Sequence, residues 1–397
     1  MTDANGRPLI LVLNCGSSSI KFALFDASHT PLSRTPHWSG AIEGITGATP
    51  VFSAIDTAAG PLTLDAVQPY HSALTLLRQR IVDRLEDGRI VAVAHRVVHG
   101  GSKYFEPTRV DAGVLADLKS YVPLAPLHQP FALEAIAALL DEQPQLPQVA
   151  CFDTAFHQSM PTVEKMLPLP RSAWQQGLRR YGFHGLSYAY VAQALGERYG
   201  VAARGRTIVA HLGSGASLCA LQDLRSVATT MGFSALDGMM MGTRCGALDP
   251  GAVIYLMEIR KLSLEQVARV LYHESGLLGV SGISSDPRVL LQHEDDARAR
   301  EALDLYVRSA VREVGALAAA LNGLDMLAFT AGIGEHNAAI RERICAGLGF
   351  LGIVLDPSAN AAHAPVISSA ASKVRVVVEP TNEEWVAASA AATLIRH

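Results

Sequence analysis

Residues 14–26, NCGSSSIKFALFD, can be laid without a gap over residues 211–223, HLGSGASLCALQD. Gly16 falls on Gly213, Ser17 on Ser214, Ala23 on Ala220, Leu24 on Leu221 and Asp26 on Asp223, at an offset of roughly half the 397-residue chain. Each segment follows an apolar run that reads as a strand. Two Gly/Ser turns can coincide by chance. The alternative is a duplicated domain, each half carrying its own strand–turn–strand. A chain of this length exceeds one ordinary core and suits two domains, which the duplication would supply.

Short β-rich runs (9–13, 21–25, 90–98, 207–211, 326–330, 374–379) alternate with long helical patterns. A helix begins at the capping box Ser263-x-x-Gln266 and stops near Ser275 and Gly276. Another runs from about 296 to 321, with Leu303, Val307, Ala310, Val314, Leu317 and Leu321 on one face and Asn322-Gly323 as its stop. This alternation implies mixed sheets covered by helices. No low-complexity linker marks the boundary.

With 49% hydrophobic and 18% charged residues, burial is ample. A net charge of −4 gives no reason to expect a nucleic-acid partner, so any anion site must be local. The beginning, MTDANGRPLI, has no basic segment leading into an apolar one, and no run approaches the ~20 apolar residues of a membrane span. Five scattered cysteines without a CxxC pair point to a reducing cytoplasm rather than a disulfide frame or a zinc site.

In LVLNCGSSSIKF (11–22), small polar residues interrupt the apolar strand and a single Lys21 follows. A tight Gly/Ser turn exposes backbone N–H groups and hydroxyls that suit phosphate oxygens, and Lys21 adds a point charge. An ordinary hairpin with a polar turn accounts for the same residues. The stretch is not a GxxxxGK[ST] loop.

LVLNCGSSSIKF resembles the amino-terminal signature of the acetate kinase family of short-chain carboxylate kinases, and HLGSGASLCA resembles the second. HRVVHGG (95–101), APLHQP (125–130), FDTAFHQ (152–158), RRYGFHG (179–185), MGTRCGALDPG (241–251), SGLLGVSGISSDPR (275–288), FTAGIGEH (329–336) and PTNEE (380–384) follow in that family's order. The resemblance implies an α/β, duplicated ribonuclease-H-like fold, shared with sugar kinases, Hsp70 and actin, with two domains around a nucleotide cleft. It places an N-terminal domain at 1–152, a nucleotide-binding domain at 153–383, and a last helix at about 384–397 packing back on the first domain. The implied reaction is ATP plus acetate giving ADP plus acetyl phosphate, reversibly, with Mg²⁺ (Mn²⁺ as the alternative) in a cytoplasmic homodimer. A propionate or other short-chain acid kinase is the near alternative. A non-catalytic ATP-dependent clamp, the distant one, has no use for the cations described next.

Alone, Arg96 reads as a structural ion pair; in a strand it would share a face with Val98, which suits a carboxylate with an apolar tail. The resemblance puts Arg96 at the substrate, in a pocket with Val98, Leu127, Phe183 and Ala235. It gives the transferring phosphoryl group to His184 and Arg244, whose charge stabilisation is the main catalytic need. Asp153 is expected to hold the metal or orient arginines rather than act as a base, because the acid is already ionised near pH 7. Thr381-x-x-Glu384 reads as a capping box for the last helix, which leaves Glu383 for Mg²⁺ beside Asn14. Nucleotide contacts are expected from Ser17, Ser19, Lys21, His211, Leu212, Gly213, Ser214, Gly215, Asp286, Pro287, Arg288, Gly332, Ile333, Gly334, Glu335 and His336.

Departures from the family pattern are Ser214 and His336 where Asn is common, Leu186 and Tyr188 for Thr and His, Gln129 for Asn, and Ala235 for Pro. The first two bear on nucleotide preference and Ala235 on the acyl chain. None removes a charged catalytic group.

Overall fold

The computed structural model describes residues 6–85, 87–126 and 128–396. The chain divides into two units, residues 1–155 with 382–397, and residues 156–381. Asp153 and Glu383 therefore both belong to unit 1, with Arg96.

Unit 1 is built on a sheet of β1 (Arg7–Cys15), β2 (Ser19–Asp26), β3 (Trp38–Glu43), β4 (Val51–Ala54), β5 (Thr57–Pro61), β6 (Gly88–Val97), β7 (Thr108–Arg109) and β8 (Gln148–Phe152), in the order β5-β4-β3-β2-β1-β6-β8-β7. Strand alternation sends Leu9, Leu11, Leu13, Cys15, Phe22 and Val97 to one face. There they pack with Tyr70, Ala73 and Leu77 of the helix Pro69–Arg84, and with Ala132 and Ile136 of the helix Gln129–Glu142. The last helix, Glu383–Leu394, packs on β1, β2, β6 and β8. Its buried residues are nearly all alanine (Ala387, Ala388, Ala391, Ala392), so it can lie close to the strands.

Unit 2 repeats the plan with β9 (Arg206–Leu212), β10 (Ala216–Gln222), β11 (Arg225–Thr229), β12 (Met326–Thr330) and β13 (Arg375–Val378), in the order β11-β10-β9-β12-β13. In unit 1 β1 pairs antiparallel with β2 and parallel with β6, and in unit 2 β9 pairs antiparallel with β10 and parallel with β12, the β4–β5 hairpin being an addition at the edge of the first sheet. Two copies of this order make the duplicated ribonuclease-H-like fold. Helix Ala297–Ala320 packs on β9, β10 and β11; Asp296 caps its start, and Asn322 and Gly323, both at positive φ, end it. The Ser263–Gln266 capping box forms as expected.

Two expectations change. β6 ends at Val97, so Val98 lies past the strand and alternation does not place it beside Arg96. Thr381 does not cap the last helix: Asn382 does, its side chain accepting from Trp385 N at 3.0 Å. Asn382 also donates to the Arg34 carbonyl at 2.8 Å, which ties the helix start to the β2–β3 connection. Glu384 thus has no capping role and lines an open cavity of about 420 Å³ with Lys21, Ala41 and Ser53.

Candidate functional site

Unit 1 gathers one cluster by register alone. Asn14 lies opposite Lys21 on β2 and beside Arg96 on β6, and cross-strand partners share a face. Asp153 follows β8 directly, its N–H donating to the Val97 carbonyl at 3.1 Å. Arg96 grips the buried Asp153 with two nitrogens, Nη2 at 2.7 Å and Nε at 3.1 Å. Its Nη1 meets Glu383 Oε2 at 2.8 Å. Burial pulls the Arg96 pKa down, but the Asp153 and Glu383 carboxylates outweigh it and hold the guanidinium charged. Burial pushes the Glu383 carboxyl up to about 7, against the pull of Arg96, with Asp153 and Glu384 adding to the rise. Asp153 orients Arg96; Glu383, read from sequence as spare, is engaged by it.

The neighbouring donors suit a hard cation. Asn14 and Glu383 offer amide and carboxylate oxygens, and Mg²⁺ commonly takes one or two carboxylates with phosphates and waters. Among the described residues no group of three or more His, Cys, Asp or Glu forms a closed metal cage. The turn closed by Gly16 N–H donating to Ser19 O at 2.8 Å leaves Ser17 and Ser18 exposed beside this face.

In unit 2, His184 sits at φ 58° immediately before the helix Gly185–Tyr199, whose N–H groups its side chain does not cap. Its ring stacks on His211 with centroids 4.1 Å apart and planes 15° from parallel. His184 Nδ1 is 2.8 Å from Ser217 Oγ, and His211 Nδ1 is 2.8 Å from Ser187 Oγ. Arg244 Nη1 donates to the Ala235 carbonyl at 3.2 Å. A methyl built on Gly215 would lie 3.4 Å from His184 Nε2 and 3.5 Å from Arg244 Nη1, so both donors converge on the β9–β10 turn. His157 fixes the approach to His184. Burial pushes its pKa down to about 4, and its neutral Nε2–H donates to the Phe183 carbonyl at 2.9 Å. Gly182, at φ +76°, has no room for a side chain against that ring.

The proposed nucleotide residues divide. Asp286 caps the helix Pro287–Leu291 and pairs with its own neighbour Arg288, Nη2 to Oδ2 at 2.6 Å. Glu335 Oε1 accepts from Ala331 N–H and Thr381 N–H, so that oxygen closes its own turn. Gly334 packs against the backbone of Phe329 and Ala210, whereas Gly332 opens onto free space. The Leu212 side chain is buried. Leu127 lies outside the described residues. Phe183 and Ala235 belong to unit 2, Arg96 and Val98 to unit 1.

Sequence reasoning missed Ser187 and Ser217, the hydroxyl anchors of the two imidazoles. Hairpin register held the signal for Ser217, which lies opposite His211. The overlay of the two repeats hid it. In unit 1 Cys15 pairs with Ile20, but in unit 2 Leu212 pairs with Ala216, one residue earlier, and such a shift turns the whole second strand over.

Comparison with known proteins establishes the class. The chain superposes on the crystal structure of Porphyromonas gingivalis acetate kinase with a TM-score of 0.86 at 35% identity, covering 98% of this chain and 100% of that one. It superposes on a propionate kinase from Francisella tularensis with a TM-score of 0.88 at 36% identity, covering 96% and 98%. The fold is that of the short-chain carboxylate kinases. Acetate kinase of Rhodopseudomonas palustris is 50% identical over 383 residues, 95% of this chain and 96% of that protein. The model of the Acetokinase family matches residues 9–389, and the chain belongs to that family.

Proposed function

We propose that this protein is an acetate kinase, transferring the γ-phosphoryl group of ATP to a carboxylate oxygen of acetate to give ADP and acetyl phosphate, reversibly. The observation that carries this reading is Arg96, held by Asp153 and Glu383 with part of its N–H fork still available for an incoming carboxylate. Acetate is ionised near neutral pH and needs no base, which agrees with Asp153 being committed to Arg96. His184 and Arg244 take the equatorial oxygens of the transferring group, where charge spreads in the transition state. Lys21, the Ser17–Ser19 turn and the turn containing Gly213 and Gly215 serve the nucleotide phosphates. Gly332 leaves room for the adenosine. Trapping the product with hydroxylamine as acetohydroxamate, dependent on both ATP and acetate, tests the reading; ATP hydrolysis without hydroxamate rejects it.

Mg²⁺, or Mn²⁺ in its place, would be held by Glu383 and Asn14 and would offset phosphate charge. Replacing Glu383 with Gln is expected to move the Mg²⁺ dependence of the rate to higher concentration, with a large loss of turnover. Glu384→Gln should leave that dependence nearly in place. The reverse pattern in a Mg²⁺ titration would exchange their roles.

A second reading, acceptance of propionate, is favoured by Ala235. Its carbonyl holds Arg244, and its methyl is the smaller alternative to proline. One methylene is worth only ~1–3 kcal/mol in such a pocket. Propionate should therefore be a competent substrate, and Ala235→Pro should lower its kcat/KM more than that of acetate. Initial rates with both acids check this; rejection of propionate by the unmutated enzyme beyond about a thousandfold, outside that range, contradicts it.

The protein works as a homodimer in the cytoplasm, on small molecules alone. Helix Pro250–Glu258 supports the dimer: it buries no residue, and Ile254, Tyr255 and Ile259 are 56%, 53% and 63% exposed. Sedimentation equilibrium should give twice the chain mass, and Ile254→Asp should give the monomer. The cysteines are all free, which suits a reducing compartment. No described helix is long and apolar enough to cross a membrane.

A further inference from the structure

Behind His184 lies a buried chain of hydroxyls. Tyr188 and Ser217 have no measurable exposure. The Tyr188 oxygen is 2.6 Å from Ser217 Oγ, which is 2.8 Å from His184 Nδ1. Protons can run along this chain in two directions; the remaining arrangement, with Nδ1–H and the phenol both donating to Ser217, leaves the buried Ser217 hydroxyl proton without an acceptor among the described residues. In the first, Nδ1–H donates to Ser217, Ser217 donates to Tyr188, and the phenol proton is left over. Ser217 is the one hydrogen-bond partner of that phenol among the described residues, so this direction strands a buried donor. In the second, Tyr188 donates to Ser217 and Ser217 donates to Nδ1, with every group matched. The proton of the neutral imidazole then sits on Nε2, the atom facing the Gly215 turn.

We propose that Ser217, oriented by Tyr188, is a positioning residue that holds His184 as its neutral Nε2–H tautomer, ready to donate to a phosphoryl oxygen. The purpose of this relay rests on the reading of His184 as a phosphoryl-binding residue; the relay itself rests on the geometry. Neighbouring groups face His184 from several elements. His211 stacks on it from β9, Arg244 Nη1 approaches the same Gly215 position, and Tyr188 sits on its own helix. Burial raises the Tyr188 pKa well above its ordinary value, so the phenol keeps its proton. Tyr188 stands where the acetate kinase family pattern has histidine. A neutral imidazole there can also donate to Ser217, so the exchange preserves the relay's chemistry.

The test is ¹⁵N NMR of histidine-labelled full-length protein, combined with steady-state kinetics. Wild type should show His184 protonated on Nε2 and accepting at Nδ1. In Ser217→Ala the Nδ1 acceptor signature should disappear. Its kcat should fall by about tenfold, the scale for losing a residue that orients a reacting group, while KM for ATP and acetate changes much less. Tyr188→Phe should show a smaller loss of the same kind and Tyr188→His should recover it. These two variants carry the test if Ser217→Ala does not fold. A wild-type His184 protonated on Nδ1, or nitrogen shifts unmoved in Ser217→Ala and Tyr188→Phe, overturns the relay. A His184→Ala enzyme with undiminished kcat overturns the phosphoryl-binding reading instead, and the nitrogen shifts still decide the relay.

Discussion

Arg96→Ala is expected to lower kcat for acetyl phosphate formation by at least ~10²–10³-fold and to raise KM for acetate, with ATP binding largely intact. The guanidinium touches Asp153 and Glu383 together and also has N–H groups to offer a third carboxylate. Its loss has a second consequence. Asp153 is 1% exposed, and removing the partner of a buried charge costs about 3–5 kcal/mol, so the alanine variant should also unfold earlier. Arg96→Lys separates the two effects. Lysine restores a positive charge between the carboxylates but cannot reproduce the planar fork. Stability should largely return while turnover stays low. Near-normal kcat/KM in the lysine variant would remove Arg96 from the substrate site.

Arg244→Ala should lower kcat by a similar ~10²–10³-fold, with smaller changes in either KM, because its charge matters most when the phosphoryl group is in flight. Burial already lowers the Arg244 pKa, so part of its solvation has been given up before substrate arrives, and its field is correspondingly strong at close range. Gly215→Ala tests the same place from the other side. The new methyl would make ordinary contacts with His184 and Arg244, and the backbone there is unstrained, so the fold should tolerate it. The methyl would nevertheless fill the space on which both donors converge. Large kcat losses in both variants, with unchanged melting temperatures for Gly215→Ala, are the expected result. If Gly215→Ala is fully active, the phosphoryl group does not pass between these two side chains.

Much of this fold was legible because the signals were local. The apolar runs, the Ser263 capping box and the Asn322-Gly323 stop each follow from a few neighbouring residues, and each appears in the structure. The duplicated turn was legible for the same reason. What escaped depended on register and on distant partners. Ser217 was hidden by a one-residue difference between two otherwise similar hairpins. The cap of the last helix went to Thr381 because the T-x-x-E pattern is satisfied there, yet the chain starts its helix one residue later. Asn382, capping the helix and donating to Arg34, explains that choice through a contact 348 residues away in sequence. Alternation failed at Val98, where the strand had already ended, and the place of Arg96 beside Asn14 depended on the pairing of two strands distant in sequence.

In the proposed reaction the acetate oxygen itself is the nucleophile, held by Arg96 and attacking phosphorus without a base. Following the reaction of [¹⁸O₂]acetate with ATP by ³¹P NMR examines that claim directly. The prediction is acetyl phosphate whose phosphorus bears one ¹⁸O, seen as a single isotope shift, formed in step with ADP. Acetyl phosphate without ¹⁸O on phosphorus, or ADP formed with only inorganic phosphate, would contradict it.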